Sequence, residues 1–117
     1  MGATFRHGNP LMIDYTPASG NVAAGDVILA GNAAGISCVI AHVPITNNTL
    51  GAVAAGGGVY DMINLNNAAD FAKVYWDPAT PTKVTTTSTN NAKFGYVAYN
   101  GGGGANTTCQ VVHDPNI

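Results

Sequence analysis

Charged side chains are the scarcest feature of this sequence. Only 9% of its 117 residues are Asp, Glu, Lys or Arg, and Glu does not occur at all, whereas an average soluble domain has about 25% charged residues. The four cations are scattered and the net charge is -2, so no basic stripe is available for a nucleic-acid partner. A surface with so little charge is unusual for a free monomer. It fits a protein that packs against copies of itself or against another partner.

Long apolar segments and cysteine motifs are also missing. No apolar run approaches the roughly 20 residues of a membrane-spanning helix, and the N-terminal residues lack the apolar core of a signal peptide. We therefore expect no membrane partner. The two cysteines, Cys38 and Cys109, lie far apart and form no Cys-x-x-Cys motif. Free, buried thiols are the favoured interpretation, and a disulfide is the alternative.

Good helix formers other than Ala are scarce, whereas Gly, Asn, Thr and Val are abundant, which favours strands and turns. The longest apolar segment, residues 25–41, is interrupted by a Gly-Asn turn, and Ile36, Cys38 and Ile40 follow at a spacing of two. This pattern predicts a hairpin with one well-buried face. We expect the rest of a small β-domain to be built around it.

The whole chain reads as about eight or nine short strands, which predicts a small antiparallel β-barrel or sandwich. Residues 1–13 are expected to form an extended N-terminal arm with a short strand near residues 4–7, and residues 14–117 the β-domain. At most one short helical turn is expected, beginning at Asn67 as a possible N-cap. The remaining strands are predicted at residues 12–16, 27–41 as the hairpin, 50–54, 59–63, 73–76, 83–87, 93–99 and 107–112.

The strand at residues 93–99 carries a strong alternating pattern. Strict alternation places Phe94, Tyr96 and Ala98 on one face of this strand. Val97 and Tyr99 then lie on the opposite face.

No recognised catalytic arrangement of side chains is present. Neither glycine-rich stretch, at residues 56–58 and 101–104, is followed by the Lys of a phosphate-binding loop. The histidines His7, His42 and His113 show no metal-ligand spacing, and no serine lies in Gly-x-Ser-x-Gly. The six aspartates lack a context typical of paired-carboxylate hydrolysis. We therefore expect no enzymatic activity, no metal and no cofactor.

Two interpretations are open for six of the aromatic side chains in the second half of the chain: Tyr60, Tyr75, Trp76, Phe94, Tyr96 and Tyr99. Exposed together, they would form a stacking platform for sugar or single-stranded nucleic acid. Packed inward, they would serve the core and contacts between subunits, which the scarcity of cations favours. The candidates for a subunit interface are Tyr60, Tyr75, Trp76 and Tyr99.

Several short motifs follow one another over roughly residues 10–112. They are Ala24-Gly25-Asp26-Val27-Ile28 with Gly35-Ile36; Leu50-Gly51-Ala52-Val53 with Gly58-Val59-Tyr60-Asp61; Lys73-Val74-Tyr75-Trp76-Asp77; Val84-Thr85-Thr86; and Phe94-Gly95-Tyr96-Val97-Ala98. Their order and spacing resemble those of the phage capsid cement, or head decoration, family. The chain departs from the family pattern in two places. Its closing strand is neutral where an Arg is usual, and residues 100–106 form a longer insert.

The resemblance implies a small tulip-like β-domain that binds the outside of an expanded icosahedral phage head, commonly as a homotrimer. Such a protein is made in the bacterial host cytoplasm and becomes part of the virion. It clamps neighbouring copies of the major capsid protein against the pressure of the internal DNA. A carbohydrate- or receptor-binding β-module on a virion or cell surface is the alternative function.

The N-terminal arm is the candidate capsid-binding element. Thr4, Phe5, Arg6 and His7 would add a strand to an exposed sheet edge of the capsid, with main-chain hydrogen bonds providing the affinity. Phe5 would then be an apolar anchor and Arg6 a charged one. Simple fraying of the terminus is the alternative.

Overall fold

Ten β-strands account for the regular structure of the chain, in a computed structural model that describes residues 2–30, 37–77, 83–88, 91–100 and 104–115. These residues contain no helix, and hence none long and apolar enough to cross a membrane. The predicted all-β fold is confirmed. The strands are β1 (Thr4–Gly8), β2 (Met12–Tyr15), β3 (Val27–Ala30), β4 (Ser37–Ile40), β5 (Gly51–Ala54), β6 (Gly58–Asn64), β7 (Lys73–Trp76), β8 (Lys83–Thr85), β9 (Ala92–Tyr99) and β10 (Thr107–His113).

Five of the strands close into a barrel. β6 pairs with β10, β10 with β9, β9 with β7, and β7 with β8, all antiparallel. β8 then returns to β6 in a parallel pairing that completes the circle. Within the closed part each strand has a neighbour on both sides, and β6 and β9 also pair with β1 and β4, which lie outside the barrel.

Four other strands form a second sheet in the order β3, β4, β5, β2. β3 and β4 pair antiparallel from Val27↔Ile40 to Ala30↔Ser37, which confirms the predicted hairpin. Its turn, at residues 31–36, lies outside the described residues. The second sheet joins the barrel where Ser37 of β4 pairs with Lys93 of β9.

Strand β4 contributes to two separate hydrophobic cores. Cys38 and Ile40 belong to the larger core, which also contains Phe94 and is formed mainly by barrel strands. Val39 and the next residue after the strand, Ala41, belong to a smaller core. Successive side chains of a strand point to opposite faces, so β4 forms the wall between the two cores. This explains why residues 38–41 are apolar without interruption.

The N-terminal segment, residues 4–15, lies along the sheet. β1 pairs with β6 from Thr4↔Asp61 to Gly8↔Gly58, and β2 pairs with β5 from Met12↔Ala54 to Tyr15↔Gly51. The segment bends between the two strands at Gly8, where the φ of 110° favours glycine. The boundary predicted at residue 13 falls inside β2, and the predicted arm contains β1.

Two β-bulges in β9 change which of its side chains face the core. The extra residue is Phe94 opposite β7 and Ala98 opposite β10. Phe94 and Val97 are both fully buried, whereas Tyr99 is exposed. Both belong to the larger core, so the predicted placement of Phe94 and Val97 on opposite faces is wrong, because the bulge at Phe94 shifts the alternation by one residue.

Both cysteine thiols are free and buried, as predicted. Burial raises the pKa of the Cys38 thiol to about 12 and that of the Cys109 thiol to about 11. The nearby Asp61 carboxylate adds to the increase at Cys109. Since the thiolate is the reactive form, both side chains are inert at neutral pH and act as small core residues.

His113 is a fully buried polar side chain at the end of β10. Its Nε2 lies 2.8 Å from the carbonyl oxygen of Cys38, and because this oxygen can only accept, Nε2 carries a proton and donates it. No described residue forms a hydrogen bond with its buried Nδ1. Burial lowers the pKa of His113, and the hydrogen bond to Cys38 and the charge of Asp114 oppose this effect in part. The imidazole is therefore neutral in the folded protein at neutral pH.

Gly95 is expected to tolerate no side chain. A Cβ atom at this position would lie 1.8 Å from the carbonyl oxygen of Val112, which belongs to the backbone of β10. Gly95→Ala should therefore destabilise the protein by about 3 kcal/mol or more, measured by chemical denaturation. The control is Lys93→Ala, which changes an exposed side chain of the same strand. Equal stability losses in the two variants would contradict the close packing of β9 on β10.

The free energy of unfolding should fall as the pH drops below about 6.5, the usual pKa of histidine in an unfolded chain. The unfolded chain takes up a proton in this range while buried His113, whose pKa is lowered, resists it. Protons therefore favour unfolding. His113→Gln, which cannot be protonated, should lose less stability between pH 7 and pH 5 than the unmodified protein in denaturation experiments at both values. Parallel losses would show that His113 does not carry this pH dependence.

Candidate interaction surface

The outer edge of residues 4–15 is the most open part of the sheet that the structure describes. β1 is exposed along its whole length, and β2 is exposed except for Tyr15. Among the described strands, β1 pairs only with β6 and β2 only with β5. One side of each strand is therefore left without a neighbouring strand. We call this side the N-terminal edge.

Strand β2 makes the N-terminal edge apolar. Leu11, Met12 and Ile13 are 68%, 43% and 42% exposed, although isolated edge strands are usually protected by charge, proline or a bulge. Asp14 is the one charged residue of β2. An exposed apolar edge of this kind is suited to receiving another strand.

The direction of the β2 backbone groups follows from the hydrogen bonds of Leu11. Its N–H donates to the carbonyl of Gly56 at 2.9 Å, and its carbonyl accepts from the N–H of Ala55 at 2.8 Å. The polar groups of an antiparallel strand point to alternate sides. Those of Met12 and Asp14 consequently point away from β5, into the open edge.

Strand β1 is more firmly tied to the domain than β2. The Phe5 ring packs against the rings of His42 and Tyr60, with centroid distances of 4.7 Å and 5.6 Å. Arg6 forms an ion pair with Asp61 at 3.3 Å, and a bulge interrupts the pairing of β1 between Phe5 and His7. Of the predicted arm residues, Phe5 and Arg6 thus contact their own domain, while Thr4 and His7 are exposed side chains on β1.

The polar contact beneath Phe5 is a hydrogen bond between two side chains. His42 Nε2 lies 2.6 Å from the hydroxyl oxygen of Tyr60. Burial lowers the pKa of His42 and raises that of Tyr60, so both groups are neutral at pH 7. This bond holds together the two rings on which Phe5 packs, and it gives β1 a rigid support.

The four aromatic residues predicted for a subunit interface lie in different environments. Tyr60 is fully buried, and Trp76, 4% exposed, packs near Phe94 in the core. Tyr75 is half-buried, and Tyr99 is 58% exposed. Among the four, the interface prediction therefore depends on Tyr99 and, to a smaller extent, Tyr75.

Two exposed features were not identified from the sequence. The first is the apolar edge at residues 11–13, for which the sequence offered a signal, since three apolar residues follow Pro10 directly. The second is Phe71, which is 76% exposed. Phe71 lies four residues after Asn67, in the segment where at most one helical turn is expected, and no local pattern distinguishes its exposed ring from a buried one.

The described residues offer no arrangement typical of metal binding. No group of three His, Cys, Asp or Glu side chains among them is placed to hold a metal ion. The N-terminal edge presents backbone amides and apolar side chains, together with one ion pair and the exposed side chains of Thr4, His7 and Asp14. This chemistry is suited to binding a protein surface.

Comparisons with known proteins agree with a surface that is suited to binding another protein. No curated protein and no solved structure matches the chain. A family model described as phage cement protein matches residues 6–113, from the middle of β1 to the end of β10. This match covers nearly the whole chain, which therefore belongs to the phage cement protein family.

Proposed function

We propose that the protein binds the outer surface of an expanded phage head and clamps neighbouring copies of the major capsid protein against internal DNA pressure. Membership of the cement family supports a structural role in the phage capsid. The single observation that carries the mode of binding is the open, apolar N-terminal edge at β2.

In this proposal an extended segment of the capsid protein adds to the sheet beside β2. The outward N–H and C=O groups of Met12 and Asp14 form the ladder with it, because those of Leu11 are used by β5. Main-chain bonds provide affinity without charged contacts, which suits a chain with 9% charged residues. Many identical weak contacts over a shell then act together through avidity.

The predicted arm residues have a supporting part in this proposal. β1 continues the same edge beyond the bend at Gly8, but its bulge and the Arg6–Asp61 ion pair make it a poorer template than β2. Thr4 and His7, both exposed, are proposed to contact the capsid through their side chains. Phe5 and Arg6 are proposed to do so with the part of each side chain that their own domain leaves uncovered.

Self-association is also part of the proposal. A charge-poor surface and exposed apolar side chains outside the N-terminal edge favour contact between copies, and a homotrimer is the expected form. The alternative function, a carbohydrate- or receptor-binding module, has less support. Tyr60, Trp76 and Phe94 are buried in the core, so these rings are not available as a stacking platform.

Blocking the outward backbone of β2 should abolish binding to capsids. Met12→Pro removes an N–H that points away from β5, so the β2–β5 ladder stays intact while an added strand loses a donor. The matched control is Met12→Thr, which removes the apolar side chain but keeps this N–H. Binding is measured by adding each purified variant to expanded, undecorated heads and following occupancy by electron microscopy or density.

We expect Met12→Thr to occupy heads and Met12→Pro to leave them bare, with both variants equally folded by circular dichroism. Full occupancy by Met12→Pro would contradict strand addition at β2. Loss of binding in Arg6→Ala but not in Met12→Pro would move the contact to β1. Failure of the unmodified protein to bind any head would contradict the proposed function itself.

A further inference from the structure

A row of four side chains crosses the outer face of the barrel. Gln110 of β10 is paired on one side with Asp61 of β6 and on the other with Tyr99 of β9. Directly paired residues project from the same face of a sheet, and the residues on either side of Gln110 are buried. The three side chains therefore face outward. Arg6 of β1 completes the row through its ion pair with Asp61. We call these four residues the outer row.

Two adjoining depressions follow the outer row. The first, of about 220 Å³, is lined by the whole row together with Thr108. The second, of about 200 Å³, has Ile63 and Thr4 in its lining. Asp61 and Thr108 line both depressions, so the two form one continuous groove. Each depression is smaller than the roughly 300–1,000 Å³ typical of pockets for drug-sized ligands, and each suits a single ring of a ligand.

The groove is electrically balanced. Nη1 of Arg6 lies 3.3 Å and 3.5 Å from the two carboxylate oxygens of Asp61. Among the described residues that line the groove, these two are the charged ones, so the groove favours a neutral ligand over an ion. Both distances exceed the roughly 2.7–2.9 Å of a strong charge-assisted hydrogen bond. The guanidinium and the carboxylate therefore keep hydrogen-bonding capacity for a ligand.

The polar groups of the outer row match the hydroxyl groups of a sugar. The Asp61 carboxylate only accepts hydrogen bonds, the Arg6 guanidinium only donates them, and the Gln110 carboxamide does both. A sugar hydroxyl both donates and accepts, so it can pair with any of the three. Neighbouring strands lie about 4.8 Å apart, which allows one sugar ring to contact two of these side chains at once.

Tyr99 adds an apolar platform at one end of the groove. Its side chain is 58% exposed, unlike the aromatic rings of the core. An exposed aromatic face can cover the C–H face of a pyranose ring while the phenol hydroxyl stays in water. Asn100 beside it is held by Asn67 and Asp70, at 2.9 Å and 2.8 Å. The rim of the groove is thus ordered before a ligand arrives, so binding loses little conformational entropy.

We propose that this groove binds a neutral carbohydrate, with one pyranose ring stacked on Tyr99 and its hydroxyls bonded to Asp61 and Gln110. The next sugar unit occupies the depression beside Ile63. This activity is additional to capsid binding, since Asp61, Tyr99, Thr108 and Gln110 take no part in the proposed capsid contact. Copies arranged on a head would hold a repeating polysaccharide through avidity, although the site itself does not depend on the capsid.

The test is an NMR titration of the purified, isotope-labelled protein, without capsids, with the neutral disaccharides maltose, lactose and chitobiose. At least one of them should bind, with a Kd on the order of 1 mM, and shift resonances of the outer row. Sorbitol offers hydroxyl groups without a ring to stack, and it should bind more weakly. A sulfated disaccharide that binds more tightly than all three neutral ones would overturn the proposed ligand class.

Two variants of Tyr99 test the stacking contact. Tyr99→Ala should weaken sugar binding by about tenfold, as expected for the loss of a stacking ring. Tyr99→Phe is the matched control, which keeps the ring and should bind as the unmodified protein does. Circular dichroism checks that both variants are folded. Equal losses in the two variants would overturn the stacking contact, because the hydroxyl would then be the group that matters.

A third variant tests the polar half of the groove. Gln110→Leu keeps a side chain of similar size but removes the carboxamide, so it should weaken sugar binding while Tyr99 remains in place. Absence of binding by all three disaccharides would overturn the proposal, as would shifts confined to other strands. A change of oligomeric state in Tyr99→Ala, seen by analytical ultracentrifugation with no effect on sugar binding, would assign Tyr99 to a subunit contact and would also overturn it.

Discussion

The burial of β4 on both faces is the constraint on which the rest of the structure depends. Cys38 and Ile40 complete the larger core, while Val39 and Ala41 complete the smaller one. A single strand therefore supports both the closed barrel and the second sheet. Because side chains on both faces of β4 are needed for packing, the proposed capsid contact lies on other strands, at the N-terminal edge.

Much of the fold follows from local sequence patterns. Residues 58–64 alternate strictly between buried and less buried positions, and the run around Cys38 and Ile40 predicted a hairpin that the β3–β4 pairing confirms. Strand positions can be read in this way because each depends on side chains two residues apart. The parallel pairing of β6 with β8, which closes the barrel, could not be predicted from the sequence. It joins segments about twenty residues apart, and no local pattern indicates that they pair.

The candidate site was less accessible to sequence reasoning. Whether an aromatic ring is buried depends on bulges and neighbouring strands, so Tyr60 and Tyr99, both predicted as interface residues, lie at opposite extremes of exposure. The arm at residues 4–7 was expected to reach outward, yet Phe5 and Arg6 find partners within the domain because β6 has an edge beside them. The positive φ of Phe71 arises from long-range bonds to Val97 that no local pattern reports.

The antiparallel path of residues 4–15 along β5 and β6 also has a mechanical consequence. Force applied lengthwise to the outer side of β2 loads the β2–β5 ladder in shear, and the bend at Gly8 passes the remainder to the β1–β6 ladder. When a ladder is loaded in shear, all of its hydrogen bonds resist the force together. When a strand is pulled away from one end, the hydrogen bonds break one at a time. A pull along residues 4–15 would therefore be shared between the barrel and the second sheet.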